Sequence, residues 1–507
     1  MNEQPALSFC IPTYNRAARV YSCVKHILQY DGMDIEVVVT DNASDDNTWE
    51  LLNTICDKRL RIFRNEDSIG AFNWTYVLSK ANGHFAALMS DEDHVFIENV
   101  AYYTEFLSKS DNANKLGAVI YHYPPKKNIF RKYRSPSQHQ AFMAALKYGG
   151  HITCHILNSA LYKEQYKDIY SFGKVGMHFS MLLAIAQKHP VILSDIPLVR
   201  WGEPVYNPLK KTRDKSCLDP EVFGGHAPAN SFRLYEMLLD NTHKGFAYSA
   251  KTEKLYFQCL SFSIWRISSF YCKVIASPSR IEKEQSESGF PWHEVSNMMD
   301  LNRNQVIINL NDWFCRAIQR IVELTNDVSW NLLCKTFEDA MNMKSNEPVD
   351  EKLSLPQRIL LGDTVFLICK NFFDLSDDNC GMLGFQHSSA MKLLLDYGFF
   401  DSVLAYNAPK NTRTEFIYGR AHLGKKDWKN AEKCFRYFVD RIENPSCLCD
   451  IVTGIMSVPY AYWYLGICLC EQGNDAEADS FFQKSRSFAD EYLIDFFLPQ
   501  DDYIKTV

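Results

Sequence analysis

The chain has 507 residues, 46% hydrophobic and 23% charged, so it can bury a sizeable core but is too long for a single one. Its net charge of −7 and pI near 6.1 leave no basic field, which excludes general nucleic-acid binding. No basic segment followed by an apolar stretch opens the sequence, and the strongest apolar runs, near 359–361 and 365–369, are split by Gly362-Asp363, so neither a signal peptide nor a membrane span is expected.

Leu7-Ser8-Phe9-Cys10-Ile11 reads as a buried strand stopped by Pro12. Apolar residues at helical spacing (Val20, Cys23, Val24, Ile27, Leu28) predict a helix over 20–28. Ile35-Glu36-Val37-Val38-Val39 is a β-branched strand that ends at Asp41-Asn42, with a polar turn and a helix over 48–56 behind it. Strand 60–63, helix 71–80 and strand 85–89 complete the alternation. This pattern gives a mostly parallel α/β sheet of Rossmann-like type with helices on both faces, in which ligands bind beyond the carboxyl ends of the strands. Thr13-Tyr14-Asn15, Asp41-Asn42 and Asp91-Glu92-Asp93 all fall there. Acids clustered at a strand end are costly unless a positive charge sits on them, and a metal held on a diphosphate is the expected partner.

From about residue 230 the pattern turns helical, with long aromatic-rich helices expected over 232–239, 253–275 and 306–324. The last hundred residues hold a repeat. Tyr418-Gly419, Ala431 and Phe435 recur at one fixed offset as Leu465-Gly466, Ala478 and Phe482. A glycine and a small alanine where helices touch, with a phenylalanine filling the gap, resembles tetratricopeptide packing, although the spacing exceeds that repeat's period of about 34 residues. An insertion over 444–458 accounts for the excess, and an ordinary array of helical hairpins is the alternative. The expected domains are 1–229, 230–399 and 400–507. The sixteen cysteines show no Cys-x-x-Cys pair, and Cys447/Cys449 and Cys468/Cys470 lack zinc-site spacing, which points to reduced thiols in a cytoplasmic protein.

Ile11-Pro12-Thr13-Tyr14-Asn15-Arg16, Val39-Thr40-Asp41-Asn42-Ala43-Ser44-Asp45-Asp46, Gly70-Ala71-Phe72-Asn73 and Ser90-Asp91-Glu92-Asp93 together resemble the family 2 glycosyltransferases over roughly residues 6–200. That family has the nucleotide-sugar-binding fold called GT-A. The resemblance implies an inverting, metal-dependent enzyme that moves a sugar from a nucleotide-sugar donor, UDP-linked, to a glycan or lipid-linked saccharide. It carries Pro12, Thr13, Asp41, Asn42 and Asn73 as donor-site positions, with Tyr14 placed to stack on the base. Asp41 would accept hydrogen bonds from a base edge; its alternative, an Asx turn or helix cap, suits Asp45 and Asp46 better. Local capping is the alternative for Asn73. Asp93 would bind Mn²⁺ or Mg²⁺, and Asp91 would contact the ribose, the ion or its bound water, while Glu92 points away or is structural.

Family members place an acidic pair before a helix beyond the sheet, and here that stretch, residues 173–183, holds no acid. His178 stands in its place as candidate base, against a purely packing role, and Asp195 is the second candidate. Lys126, Lys127, Arg131, Lys132 and Arg134 form a basic stretch suited to an anionic acceptor or to peripheral membrane contact, or else a solvated loop. One rival is a protein or peptide glycosyltransferase whose helical repeats hold the polypeptide. The other is a non-catalytic scaffold, motivated by the missing acid pair. In either case the repeats offer a surface for a protein partner or a second copy.

Overall fold

A computed structural model describes residues 4–121, 133–134, 138–150, 153–166, 177–194, 196–200, 228–274, 282, 303–341, 348–373 and 385–494. The chain divides into two compact units, Met1–Leu209 and Lys210–Val507. The first unit opens with β1 (Leu7–Thr13), α1 (Ala17–Ile27), β2 (Ile35–Asp41), α2 (Thr48–Leu52) and β3 (Leu60–Arg64). It continues through α3 (Asn73–Ser79), β4 (Phe85–Leu88), β5 (His94–Val95), α4 (Ile97–Ser108), α5 (Ser110–Lys115) and β6 (Ala118–Tyr121). After β7 (Tyr133–Arg134) and α6 (Gln138–Tyr148) come β8 (His155–Asn158), α7 (Ser159–Tyr166), α8 (Met177–Ala186), β9 (Val191–Ser194) and β10 (Val199–Arg200).

Among the described residues, eight strands form one sheet in the order β3-β2-β1-β4-β8-β6-β9-β7, and β5 pairs with β10 separately. β3, β2, β1 and β4 run parallel, as the alternation predicts. β8 enters antiparallel between β4 and β6, and β7 is antiparallel to β9, so the far half of the sheet is mixed. β1 and β2 are buried along their whole length, which suits apolar, β-branched runs covered on both faces. One face packs Leu7, Phe9, Ile11, Val37 and Val39 against Val20, Val24 and Ile27 of α1. Right-handed crossovers place α3 on the opposite face, because the chain reverses direction across the sheet between β3 and β4.

Pro12 does not stop β1. The strand continues to Thr13, in register with Asp41. Cys10 accepts a hydrogen bond from Met89 on the β4 side, and Thr13 from Asn42 on the β2 side. By alternation Pro12 faces the β4 side, where pairing has already ended at Cys10–Leu88, so its missing N–H costs the ladder nothing.

The second unit is helical throughout its described residues. Pro228–Gly245, Glu253–Val274 and Arg303–Thr325 fulfil the long-helix expectations. Gly362 and Asp363, which interrupt the apolar run, are a docking contact. A Cβ on Gly362 would overlap the carbonyl oxygen of Ile451, and the Asp363 carboxylate accepts the Ile455 N–H at 2.8 Å. Ile359 shares one core with Leu423, Phe435, Leu465 and Ala478, so packing is continuous across residue 400. Gly362→Ala is expected to destabilise this unit by about 1–3 kcal/mol through overpacking, read as a lower melting midpoint. An unchanged midpoint would show that the helices separate without cost. Thr412–Gly424 with Trp428–Glu443, and Ser457–Cys470 with Asp475–Glu491, are helix pairs joined by short turns. In each pair the glycine abuts the ring that follows the buried alanine by one helical turn: Gly419 faces Phe435, and Gly466 faces Phe482. No described helix is long and apolar enough to cross a membrane.

Candidate functional site at the carboxyl ends of β1, β2 and β4

The order β3-β2-β1-β4, with all four strands parallel, brings the carboxyl ends of β2, β1 and β4 side by side, at the end of the sheet where ligands bind in folds of this class. The β1–β4 ladder ends at Cys10–Leu88, and the next link across this end is polar: the Thr13 hydroxyl donates to Asp91 Oδ2 at 2.7 Å. Thr13 and Asp91 are both buried, at 3% and 4% exposure. The second oxygen of Asp91 accepts from Arg16 Nη1 at 2.9 Å, and the same nitrogen donates to Glu92 at 2.8 Å. Arg19 adds a second contact to Glu92 at 3.3 Å. Burial works against the charge on Arg16, but Asp91 and Glu92 outweigh it and raise the guanidinium's pKa. Burial, then the charges of Asp91 and Asp93, push the neighbouring Cys23 thiol up as well.

Asp93 is equally buried. Its Oδ2 accepts the Ser90 N–H at 2.9 Å, while its own N–H donates to the Ser90 carbonyl, closing the turn that leaves β4. The carboxylate of Glu92 is held by two arginines.

Asp41, fully buried at the end of β2, divides its two oxygens between two tasks. Oδ1 accepts the Ser44 N–H at 3.2 Å and the Ser44 hydroxyl, forming the local turn. Oδ2 has no hydrogen-bond donor; Arg64 Nε lies 3.6 Å away, at ion-pair range. The turn holds Ala43 at φ 60°, a left-handed conformation that costs an alanine on the order of 1 kcal/mol. Asn15, at φ 51°, stitches the β1 and β2 loops together: its N–H donates to Ser44 Oγ and its side-chain oxygen accepts the Asp45 N–H. Asp46 caps locally, accepting from Thr48 N at 3.0 Å and from Ala17 N at the start of α1.

Asn42 is occupied within the protein. Its Nδ2 donates to Ser68, and its Oδ1 accepts from Asn65 and the Ile69 N–H. Asn73 does not cap its own helix but donates to the Thr40 carbonyl at 3.1 Å and accepts from Asn65. Both asparagines brace the β2 end. Tyr14 is 43% exposed at the rim, and Pro12 sits one residue before the Thr13 hydroxyl.

Residues 8–168 match the family model described as glycosyl transferase family 2. The match falls inside the N-terminal unit and covers under half of the chain, and over those residues the chain is similar to that family. Glycosyltransferase GlyG of Streptococcus pneumoniae is 30% identical over 97 residues, 18% of this chain and 32% of its own. The Escherichia coli protein WfaP, named a UDP-Glc:alpha-D-GlcNAc-diphosphoundecaprenol beta-1,3-glucosyltransferase, is 26% identical over 104 residues, 20% of this chain and 41% of its own. The chain thus spans less than half the length of each of these curated relatives. A solved mannosyltransferase of Pyrobaculum calidifontis, in complex with GDP-Man and Mn²⁺, aligns over 64% of this chain and 88% of its own, at 15% identity and a TM-score of 0.36.

Beyond the matched residues, His178 lies in the first turn of α8, half-buried on a helix whose other residues are almost all buried. Its ring stacks on that of His155 in β8, 5.9 Å between centroids and 5° from parallel. Asp195, Lys126, Lys127, Arg131 and Lys132 lie outside the described residues, as does the side chain of Arg134. Pattern and resemblance assign no role to the arginines at positions 16, 19 and 64. Their signal is nevertheless present, since buried strand-end acids require a nearby cation. In the helical unit, Cys447, Cys449 and Asp450 come within 4.8 Å of one another. The Asp450 carboxylate there is taken up by Ser446 and Cys447 donors as a helix cap.

Proposed function

We propose that the N-terminal unit transfers a sugar, with inversion, from a UDP-linked donor to a hydroxyl of a glycan or lipid-linked saccharide. The observation that carries this reading is Asp41 Oδ2, a buried carboxylate oxygen without a hydrogen-bond donor at the carboxyl end of β2. A buried acceptor of this kind is costly until a donor reaches it, and the imide N–H of uracil is such a donor. Tyr14 at the rim would stack on the base, and Thr13 would hold Asp91 for the ribose or the ion. The family match supports sugar transfer, and the activity for which WfaP is named supports a UDP donor and a lipid-diphosphate-linked acceptor.

The acids Asp91 and Asp93 fit a hard divalent cation, Mn²⁺ or Mg²⁺. The fit rests on Asp91 already carrying a cation, the Arg16 guanidinium, on the oxygen that Thr13 leaves open. When bound, the metal would offset the charge that builds on the departing nucleoside diphosphate. His178 would take the proton from the acceptor hydroxyl as its oxygen attacks the anomeric carbon.

Asp41→Asn tests the donor assignment. The substitution keeps an oxygen for Ser44 but turns the free acceptor into a donor facing the imide N–H. UDP affinity, measured by calorimetry with Mn²⁺ present, is expected to fall about tenfold to a hundredfold, the cost of a lost hydrogen bond to a charged group. Unchanged affinity with an unchanged melting midpoint would leave Asp41 as a turn former only.

A further inference from the structure

Asp91 is held unequally. Thr13 fixes Oδ2 from inside the sheet, whereas Oδ1 is held by Arg16 Nη1 alone among the bonds described above. That one nitrogen bridges Asp91 at 2.9 Å and Glu92 at 2.8 Å, the position a cation takes between two carboxylates. The Arg16 side chain is 41% exposed and belongs to the residue preceding α1, with no side-chain capping bond to break. It can swing away without unpacking the core. Glu92 would then keep Arg19, and Asp91 would keep Thr13.

We propose that Arg16 is a resident counter-cation, a positioning residue that covers the metal-facing oxygen of Asp91 until the donor's diphosphate draws it off, so that nucleotide binds ahead of metal. A guanidinium matches phosphate oxygens with paired N–H donors, whereas here one nitrogen alone serves both carboxylates. Its departure exposes a charged oxygen at the moment the diphosphate supplies the other ligands of a divalent ion. The inference rests on the reading that Asp91 and Asp93 hold that ion.

The test is calorimetric titration of the full chain with Mn²⁺ alone, with UDP alone, and with Mn²⁺ in saturating UDP. Arg16→Gln removes the competing charge and is expected to bind Mn²⁺ alone about tenfold more tightly than the unmodified chain, the scale of one half-exposed charge a few ångströms away. The same variant should bind UDP alone more weakly. Arg16→Lys keeps the charge and should retain weak binding of metal alone, which separates charge from packing. If Arg16→Gln binds Mn²⁺ alone no better than the unmodified chain, while Mn²⁺ with UDP still binds in an Asp93-dependent way, the counter-cation role is overturned and the metal reading stands. If the unmodified chain takes up no Mn²⁺ even with UDP, or Asp93→Asn binds it normally, the metal reading fails and the inference falls with it.

Discussion

Asp93→Asn is expected to reduce sugar transfer about a thousandfold or more and to abolish Mn²⁺-dependent UDP binding, with little change in melting midpoint. The separation is possible because Asp93 does two things. Its carboxylate accepts the Ser90 N–H and so shapes the turn after β4, and its charge stands at the strand end beside Asp91. Asparagine preserves an acceptor for Ser90 and removes only the charge. Alanine would remove both and confound folding with metal loss, at about 1 kcal/mol for the missing hydrogen bond. A thousandfold corresponds to roughly 4 kcal/mol of transition-state stabilisation, within the several kcal/mol that a Lewis-acid ion supplies. The assay compares turnover and UDP binding with Mn²⁺, with Mg²⁺ and with chelator. Normal turnover in the variant, equally sensitive to chelator, would move the metal away from Asp93.

The parts of this site visible in the sequence are those set by local chemistry. β1, β2 and β4 are short apolar runs bounded by polar turns, so apolar patterning by itself puts Thr13, Asp41 and Asp91 at their carboxyl ends. The Asp46 cap and the long helices of the second unit follow from the same local rules. What escaped depends on strand order. Arg16 and Asp91 lie 75 positions apart and meet only because β4 inserts beside β1, on the side away from β2. Alternation of strands and helices does not specify that order, nor the antiparallel entry of β8 between β4 and β6. The divided use of Asp41 is likewise invisible in one dimension. It arises from Ala43 in a left-handed conformation, which turns Ser44 back onto one oxygen and leaves the other without a hydrogen-bond donor. Gly362-Asp363 reads as an interruption because periodicity records which residues are apolar, not which ones another helix must approach.

His178→Ala is expected to lower turnover about a hundredfold while leaving the affinity for UDP unchanged. The first effect is the usual contribution of a positioned acid–base group, and the second follows if the ring faces the acceptor and not the donor. The geometry allows two roles that this pair of measurements separates. His178 is one of only two residues of α8 that are not fully buried, and its ring lies flat on fully buried His155. A ring kept for packing alone would show its loss in stability: truncating it opens space over His155, lowers the melting midpoint and leaves turnover nearly intact. A ring kept as base would show its loss in the rate, and most clearly in the pH profile. The acid limb of kcat reports protonation of the essential base in the donor complex, so it should vanish in the variant, leaving a low and flatter rate. His178→Gln refines the comparison, because glutamine fills part of the ring's volume and hydrogen-bonds but cannot accept a proton near neutral pH. It should restore the melting midpoint without restoring turnover. A variant with a full rate, an intact acid limb and early melting would make His178 a packing residue and pass the role of base to Asp195 as the next residue to substitute.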